Sequence, residues 1–274
     1  MQKKIYKTVI FLSLFMFLIG TTFLQAGGYQ RYNEREDFHK TFPLDKDGTL
    51  SLTNVNGPVF IETWDRDEVD IQAEKAVRGR RENLDKIKIE IESGSREIMV
   101  NTVFPKIRGF RGKVSYEIKV PKGLELEKIR TVNGNISISG PVTDVRATTT
   151  NGDISVKEAS GRLVFQTTNG NVNTEDIYGE IDVRSTNGSI YLEMDSVSDE
   201  ITARTTNGGI SLTIDSKDID ADVEARTTNG RIYIDFPVTI QSGQISKRRL
   251  DGRIGDGGPL ISLKTTNGPV NIRN

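Results

Sequence analysis

The chain has 274 residues and its charges nearly cancel, with 37 Lys and Arg against 38 Asp and Glu. That balance gives no reason to expect nucleic acid as a partner. The absence of cysteine excludes disulfides, thiolate metal sites, cysteine nucleophiles and a lipidated N-terminal cysteine.

In chain order, the first 26 residues stand apart. Lys3, Lys4 and Lys7 precede an apolar run from Val9 to Gly20, and Ala26 offers a small residue for cleavage. This is the form of a secretory signal peptide. The stretch Val9–Leu24 falls short of the ~20 residues that cross a bilayer. Cleavage is therefore expected over retention as an anchor, leaving no membrane span and a mature chain of about −4. The working compartment is outside the cytoplasm, either periplasm or cell surface.

Residues 27–37 read as a polar leader, with structured chain expected from Phe38 onward and one domain over 38–274. Asp45-Lys46-Asp47-Gly48 reads as a turn, because Asn56 stands where a calcium loop needs a bidentate Glu. Leu50–Thr53, Val69–Ala73, Ile87–Ile91, Ile98–Phe104 and Val114–Val120 alternate apolar and polar residues, the period of strands. Asn83–Lys86 reads as a short helical turn. Two connections, Arg78–Arg81 and Lys106–Lys113, are basic and contain glycine, and the second carries Phe110. Each could hold phosphate or an anionic glycan, and a solvated loop is the plainer expectation.

From Leu124 a phrase returns: a basic or polar residue, Thr-Thr, Asn-Gly. Asn-Gly pairs begin at 56, 133, 151, 169, 187, 207, 229 and 267, with steps of 18, 18, 18, 20 and 22 residues between 133 and 229. A near-fixed period of this length marks a repeat architecture. Apolar residues stand four before each Asn (Ile129, Ala147, Phe165, Val183, Ala203, Ala225, Leu263) and two past each Gly (Val59, Ile136, Ile154, Val172, Ile190, Ile210, Ile232, Val270). Each repeat thus buries one face of two short strands. Asp251-Gly252 reads as a worn copy, with a loop inserted at 241–249.

Two architectures fit. Each Asn-Gly could close a hairpin in an antiparallel meander, or each repeat of ~18–22 residues could be one coil of a single-chain β-solenoid, a parallel β-helix with an irregular N-terminal strand section. A hairpin has little use for Thr at the same two positions in copy after copy, whereas a coil stacks like on like and can ladder its Asn side chains. The second is the expected fold: all-β and solenoidal.

The chain resembles the bacterial "putative adhesin" family. The likeness rests on Gly48–Val59, the Thr63-Trp64-Asp65 to Ile71 block, Tyr116–Gly123 and the serial Thr-Thr-Asn-Gly coils, and covers 38–274. It implies a parallel β-helix and an envelope or surface location, and brings no catalytic residues.

The residues themselves offer little chemistry. His39 is the only histidine, so a Ser-His-Asp triad or a histidine metal site has one candidate. Five past Gly stand Glu175, Glu193 and Asp235, with Lys157 and Thr213 in the same column, a pattern of solvated charge. Three before Asn stand Arg130, Arg184, Arg204, Arg226 and Lys264, interrupted by Thr148 and Gln166. Stacked, they would form a cationic stripe for an anionic glycan or envelope component, unless neighbours such as Asp182 and Glu224 neutralise it. The expected function is a non-enzymatic adhesin or envelope scaffold without cofactor or metal. The alternative is a polysaccharide lyase or hydrolase, which would break the repeat with a carboxylate pair.

Overall fold

The computed structural model describes residues 32–240 and 246–274. The signal segment 1–26, residues 27–31 of the leader and residues 241–245 of the inserted loop lie outside the described residues. Apart from one 3-10 helix, Arg81–Lys86, the regular elements described are strands.

Alternation builds the core. Ile154, Val172, Ile190 and Ile210 occupy the same place in successive repeats, are fully buried and pair in register across parallel strands. On the other side of the corner, Ile129, Ala147, Phe165, Val183 and Ala203 do the same. Burying each large aliphatic side chain stabilises by about 2 kcal/mol. The strands flanking an Asn-Gly pair with their counterparts in neighbouring repeats, so the meander is excluded. The registers are parallel and like meets like.

The corner explains the phrase residue by residue. Seven bonds of 2.7–2.8 Å link the eight Asn side chains, each amide from Asn133 onward donating to the Asn oxygen of the neighbouring repeat on the Asn56 side. At Gly57 an added Cβ would fall 2.1 Å from the Val114 carbonyl oxygen, and from Gly134 onward each following Gly lies so close to its neighbour that it would fall 1.8–2.2 Å from the carbonyl oxygen of the adjacent repeat's glycine. No side chain fits there. The first Thr turns inward and donates its hydroxyl to that same carbonyl, at 2.8–3.1 Å, with Ser185 taking the role once. An otherwise unpaired buried carbonyl is thereby satisfied. Asn54 holds this place in the first repeat and donates to Val114 and Gly57 carbonyls.

At the ends, order in space departs from order in the chain. The last repeat is inserted between its two predecessors: Ile201–Asn207 pairs with Leu260–Asn267, which pairs with Ala221–Thr227. The Asn ladder runs 207, 267, 229 accordingly. Asp251-Gly252 is a correction. It is no worn repeat, because Arg249–Ile254 runs antiparallel along Ala221–Thr227 and closes that end of the stack.

At the other end, Thr49–Thr53 and Val59–Trp64 stack on Glu125–Arg130 and Ile136–Thr143. The intervening chain forms a cap. Glu97–Val103 and Gly112–Pro121 pair parallel to this first repeat, and Lys88–Ser93 and Glu68–Val77 add antiparallel edges. Its core includes the fully buried Tyr116, whose hydroxyl meets Thr102 at 2.6 Å. Strand structure begins earlier than the leader assignment implied. Glu34–Pro43 pairs antiparallel with Glu68–Val77 because its alternate side chains Phe38 and Phe42 pack on the core.

Candidate functional site

The five cations expected to form a stripe are not evenly brought together. Arg184, Arg204, Lys264 and Arg226 occupy four adjacent strands in register. Arg130 is separated from them by Thr148 and Gln166, which pair between it and Arg184.

Acids two residues upstream neutralise part of the stripe. Arg184 is held by Asp182 at 2.9 Å, and Glu224 contacts both Arg226, at 2.5 Å, and Lys264, at 2.9 Å. The hydrogen bond from Lys264 outweighs burial and, with the charges of Lys264 and Arg226, holds the Glu224 carboxyl below its usual range. Arg204 is different. Thr202 stands where Arg184 and Arg226 have an acid two residues upstream, and Arg204, unlike Lys264, which reaches Glu224 of the next strand, makes no ion pair among the described residues. Within the four adjacent strands unneutralised charge therefore falls at Arg204, while Arg130, beyond the gap, likewise makes no ion pair among the described residues. Surface pairs of this kind contribute little to stability, but their absence leaves a cation for an outside anion.

The column five past Gly does not assemble carboxylates. Glu175 is bonded to Lys157 at 2.7 Å, and Thr213 and Arg273 intervene between Glu193 and Asp235. His39 lies at the N-terminal cap, where its Nε2 meets Asp70 Oδ1. Thr41 donates to the same oxygen at 2.8 Å, and Gln72 to the other at 2.9 Å. Burial pushes the Asp70 carboxyl up, yet hydrogen bonds from Gln72, His39 and Thr41 and the charge on His39 hold it below its ordinary value. These bonds fasten the first strand to the cap.

The outward residues Ser137, Ser155, Tyr191, Ser211 and Tyr233 were legible in the sequence, whereas the depressions beside the His39–Asp70 pair were not. Phe60, 46 % exposed, separates two shallow depressions of about 480 and 610 Å³. Gln72 and Glu117 line both, with Ser137 in one and His39 in the other. Phe60 begins a row three past Gly that continues through Ser137, Ser155, Asn173, Tyr191, Ser211, Asn271 and Tyr233. The signal was present in the sequence as aromatic residues on the polar phase of a strand. The depressions were not, since they require strands distant in sequence to meet.

Among the described residues, no helix is long and apolar enough to cross a membrane, and no group of three His, Cys, Asp or Glu could hold a metal. The Toastrack DUF4097 family model matches residues 48–178 and again 159–273. A putative adhesin from Bacteroides fragilis is 14 % identical, with a TM-score of 0.47 over 87 % of this chain and 97 % of that one. A putative cell adhesion protein from Clostridium sporogenes is 11 % identical, with a TM-score of 0.32 over 87 % and 99 %. A putative lipid binding protein from Parabacteroides distasonis is 13 % identical, with a TM-score of 0.36 over 87 % and 96 %. No curated protein matches the chain.

Proposed function

The chain belongs to the Toastrack DUF4097 family, and from that premise we propose that it is an exported, non-enzymatic protein of the cell envelope or surface. It acts as an adhesin or scaffold through the outer rows of a β-solenoid. Parallel, in-register pairing of like positions in successive repeats supports the solenoid. The signal-peptide form of residues 1–26 supports export.

One observation carries the functional reading. The polar side chains of the repeat phrase are consumed within the stack: Asn by Asn, and the first Thr by a Gly carbonyl. The phrase makes a long, rigid body, and what remains for a partner is the pattern of side chains outside the corner. On one face that pattern concentrates positive charge at Arg204, flanked by Arg184 and Lys264, which suits an anionic glycan or envelope component.

Residues 32–274 form one compact unit with its own core, so the chain from Gly27 is suitable for testing. On a glycan and matrix-protein array it should bind anionic ligands. The triple variant Arg184→Ser, Arg204→Ser, Lys264→Ser should lose most of that signal while melting like the parent. Equal signals from parent and variant would reject this face as the contact.

A further inference from the structure

The two basic connections singled out in the sequence meet in space. The Arg78 backbone N–H donates to the Arg111 carbonyl at 3.0 Å, joining the loop after Glu68–Val77 to the loop before Gly112–Pro121. Asn33 ties the incoming chain to the same place. Its side-chain amide donates to the Gly79 carbonyl, and the Gly79 N–H donates back to its oxygen, both at 2.8 Å. Residues 78–86 and 106–113 together hold eight Lys and Arg against two acids, Glu82 and Asp85.

About half of the cations elsewhere among the described residues are ion-paired, whereas here six stand together without an ion pair. Arg78, Arg80, Arg81, Lys106, Arg108 and Arg111 are all exposed, and none makes an ion pair among the described residues. Ile107, at the tip of the second loop, is 51 % exposed, the most exposed aliphatic side chain among the large hydrophobics. Half-buried Phe110 follows it, and Lys113 lies over the ring of Tyr32. Like charges grouped on two joined loops repel one another unless an anion joins them. A soluble anion has no use for the exposed isoleucine. An apolar tip flanked by Lys106 and Arg108 and joined to a second basic loop is the pattern that enters the boundary between headgroups and acyl chains.

We propose that the tip formed by residues 78–81 and 106–113 docks the protein on an anionic phospholipid surface. Ile107 enters the interfacial layer, and the surrounding guanidinium and ammonium groups pair with headgroup phosphates. Docking uses the capped end of the stack, and so stands apart from the Arg204 face and from any reading of it.

Cosedimentation of the chain from Gly27 with phosphatidylglycerol-containing vesicles tests this. Binding should be absent on pure phosphatidylcholine and should fall as salt is raised. Arg108→Ser with Arg111→Ser should weaken partitioning about thirty-fold. Ile107→Ser should weaken it while leaving the salt dependence in place, and Arg204→Ser should leave it unchanged. The variants at 107, 108 and 111 sit on an exposed loop and Arg204 is an exposed strand residue, so each melting curve should match the parent's. No binding to anionic vesicles overturns the proposal. So does binding that Ile107→Ser leaves untouched and heparin abolishes, which would make the tip a site for soluble polyanions.

Discussion

Between Asn133 and Asn207 the chain order and the spatial order are the same, and each repeat rests on the one before it. Beyond those limits they part. At the far end the last repeat slips between its two predecessors, and at the near end seventy-odd residues intervene between two repeats that touch. The middle is local and modular; the ends are made by long-range closure. The difference follows from edges. A repeat inside the stack has a partner on both sides, whereas a terminal repeat presents unpaired N–H and C=O groups that invite other chains. Both ends resolve this with antiparallel strands that are poor templates for another copy: charged Glu34–Pro43 and Lys88–Ser93 at one, Arg249–Ile254 at the other.

The sharpest way to break this contrast is by deletion. Removing residues 259–274 strips the strands at 201–207 and 221–227 of their shared neighbour. The truncated chain should lose cooperative melting and aggregate through the opened edges. Removing Gly152–Asn169 joins Asn151 to Gly170 and keeps every corner intact. That chain should remain monomeric on a sizing column and melt cooperatively. If both deletions behaved alike, the division into modular middle and closed ends would be wrong.

Next in size is the glycine column. Gly188→Ala would place a Cβ 1.8 Å from the Gly170 carbonyl oxygen, and a cost of about 3 kcal/mol is expected in urea unfolding. Gly94→Ala, in a turn of the N-terminal cap with nothing nearer than 3.7 Å, should stay within about 1 kcal/mol. A similar cost at both sites would remove the steric reason for glycine at the corner.

Thr205→Val leaves the buried Gly188 carbonyl unpaired and should cost about 1–3 kcal/mol. Asn187→Ala cuts the exposed ladder in its middle and should cost about 1 kcal/mol. Asn229→Ala removes only the terminal bond and should cost less. Melting the three variants together ranks them, and an Asn229 effect equal to that of Asn187 would argue against cooperative coupling along the ladder.

The smallest effect concerns pH and belongs to the N-terminal end. The Asp70 carboxyl lies below its unfolded value in the native state. The unfolded chain therefore binds more protons in that range. The stabilisation is fully present above the unfolded value, near pH 4, and is lost as pH falls through the native one. Hydrogen exchange of Glu34–Pro43 should quicken in acid, and Asp70→Asn should flatten that dependence. An unchanged acid profile in the variant would show that other groups hold the strand.

Much of the middle was legible in advance. Alternate apolar positions on both flanks of Asn-Gly state which side chains face inward, and recurrence of Thr at a fixed place signals a bond that a hairpin would not need. The two ends were less so. Every copy carries the same phrase, so nothing in the phrase says which copy lies beside which. The insertion of 260–267 between 207 and 229 is decided by which edges remain uncovered, a property of the whole stack. Arg249–Ile254 misled for a related reason. Its Asp-Gly and Ile254 match the phrase, but strand direction is not written in alternation. At the basic column the residues were identifiable, while Arg204 stood out only once strand registers showed which acids lay within reach.

The Asn ladder has one further consequence. At its end the Asn56 amide nitrogen faces the Gly112 carbonyl at 3.3 Å, and a carbonyl can only accept. Asn56 must therefore present its oxygen to Asn133, which must donate, and the same choice passes to Asn229. Eight amides are thus polarised in one sense by a single backbone group. Such a chain strengthens its own bonds and sums its dipoles along one axis. The stack has an electrical direction as well as a structural one, with its positive pole toward Asn56, and adding repeats would lengthen the axis without reversing it.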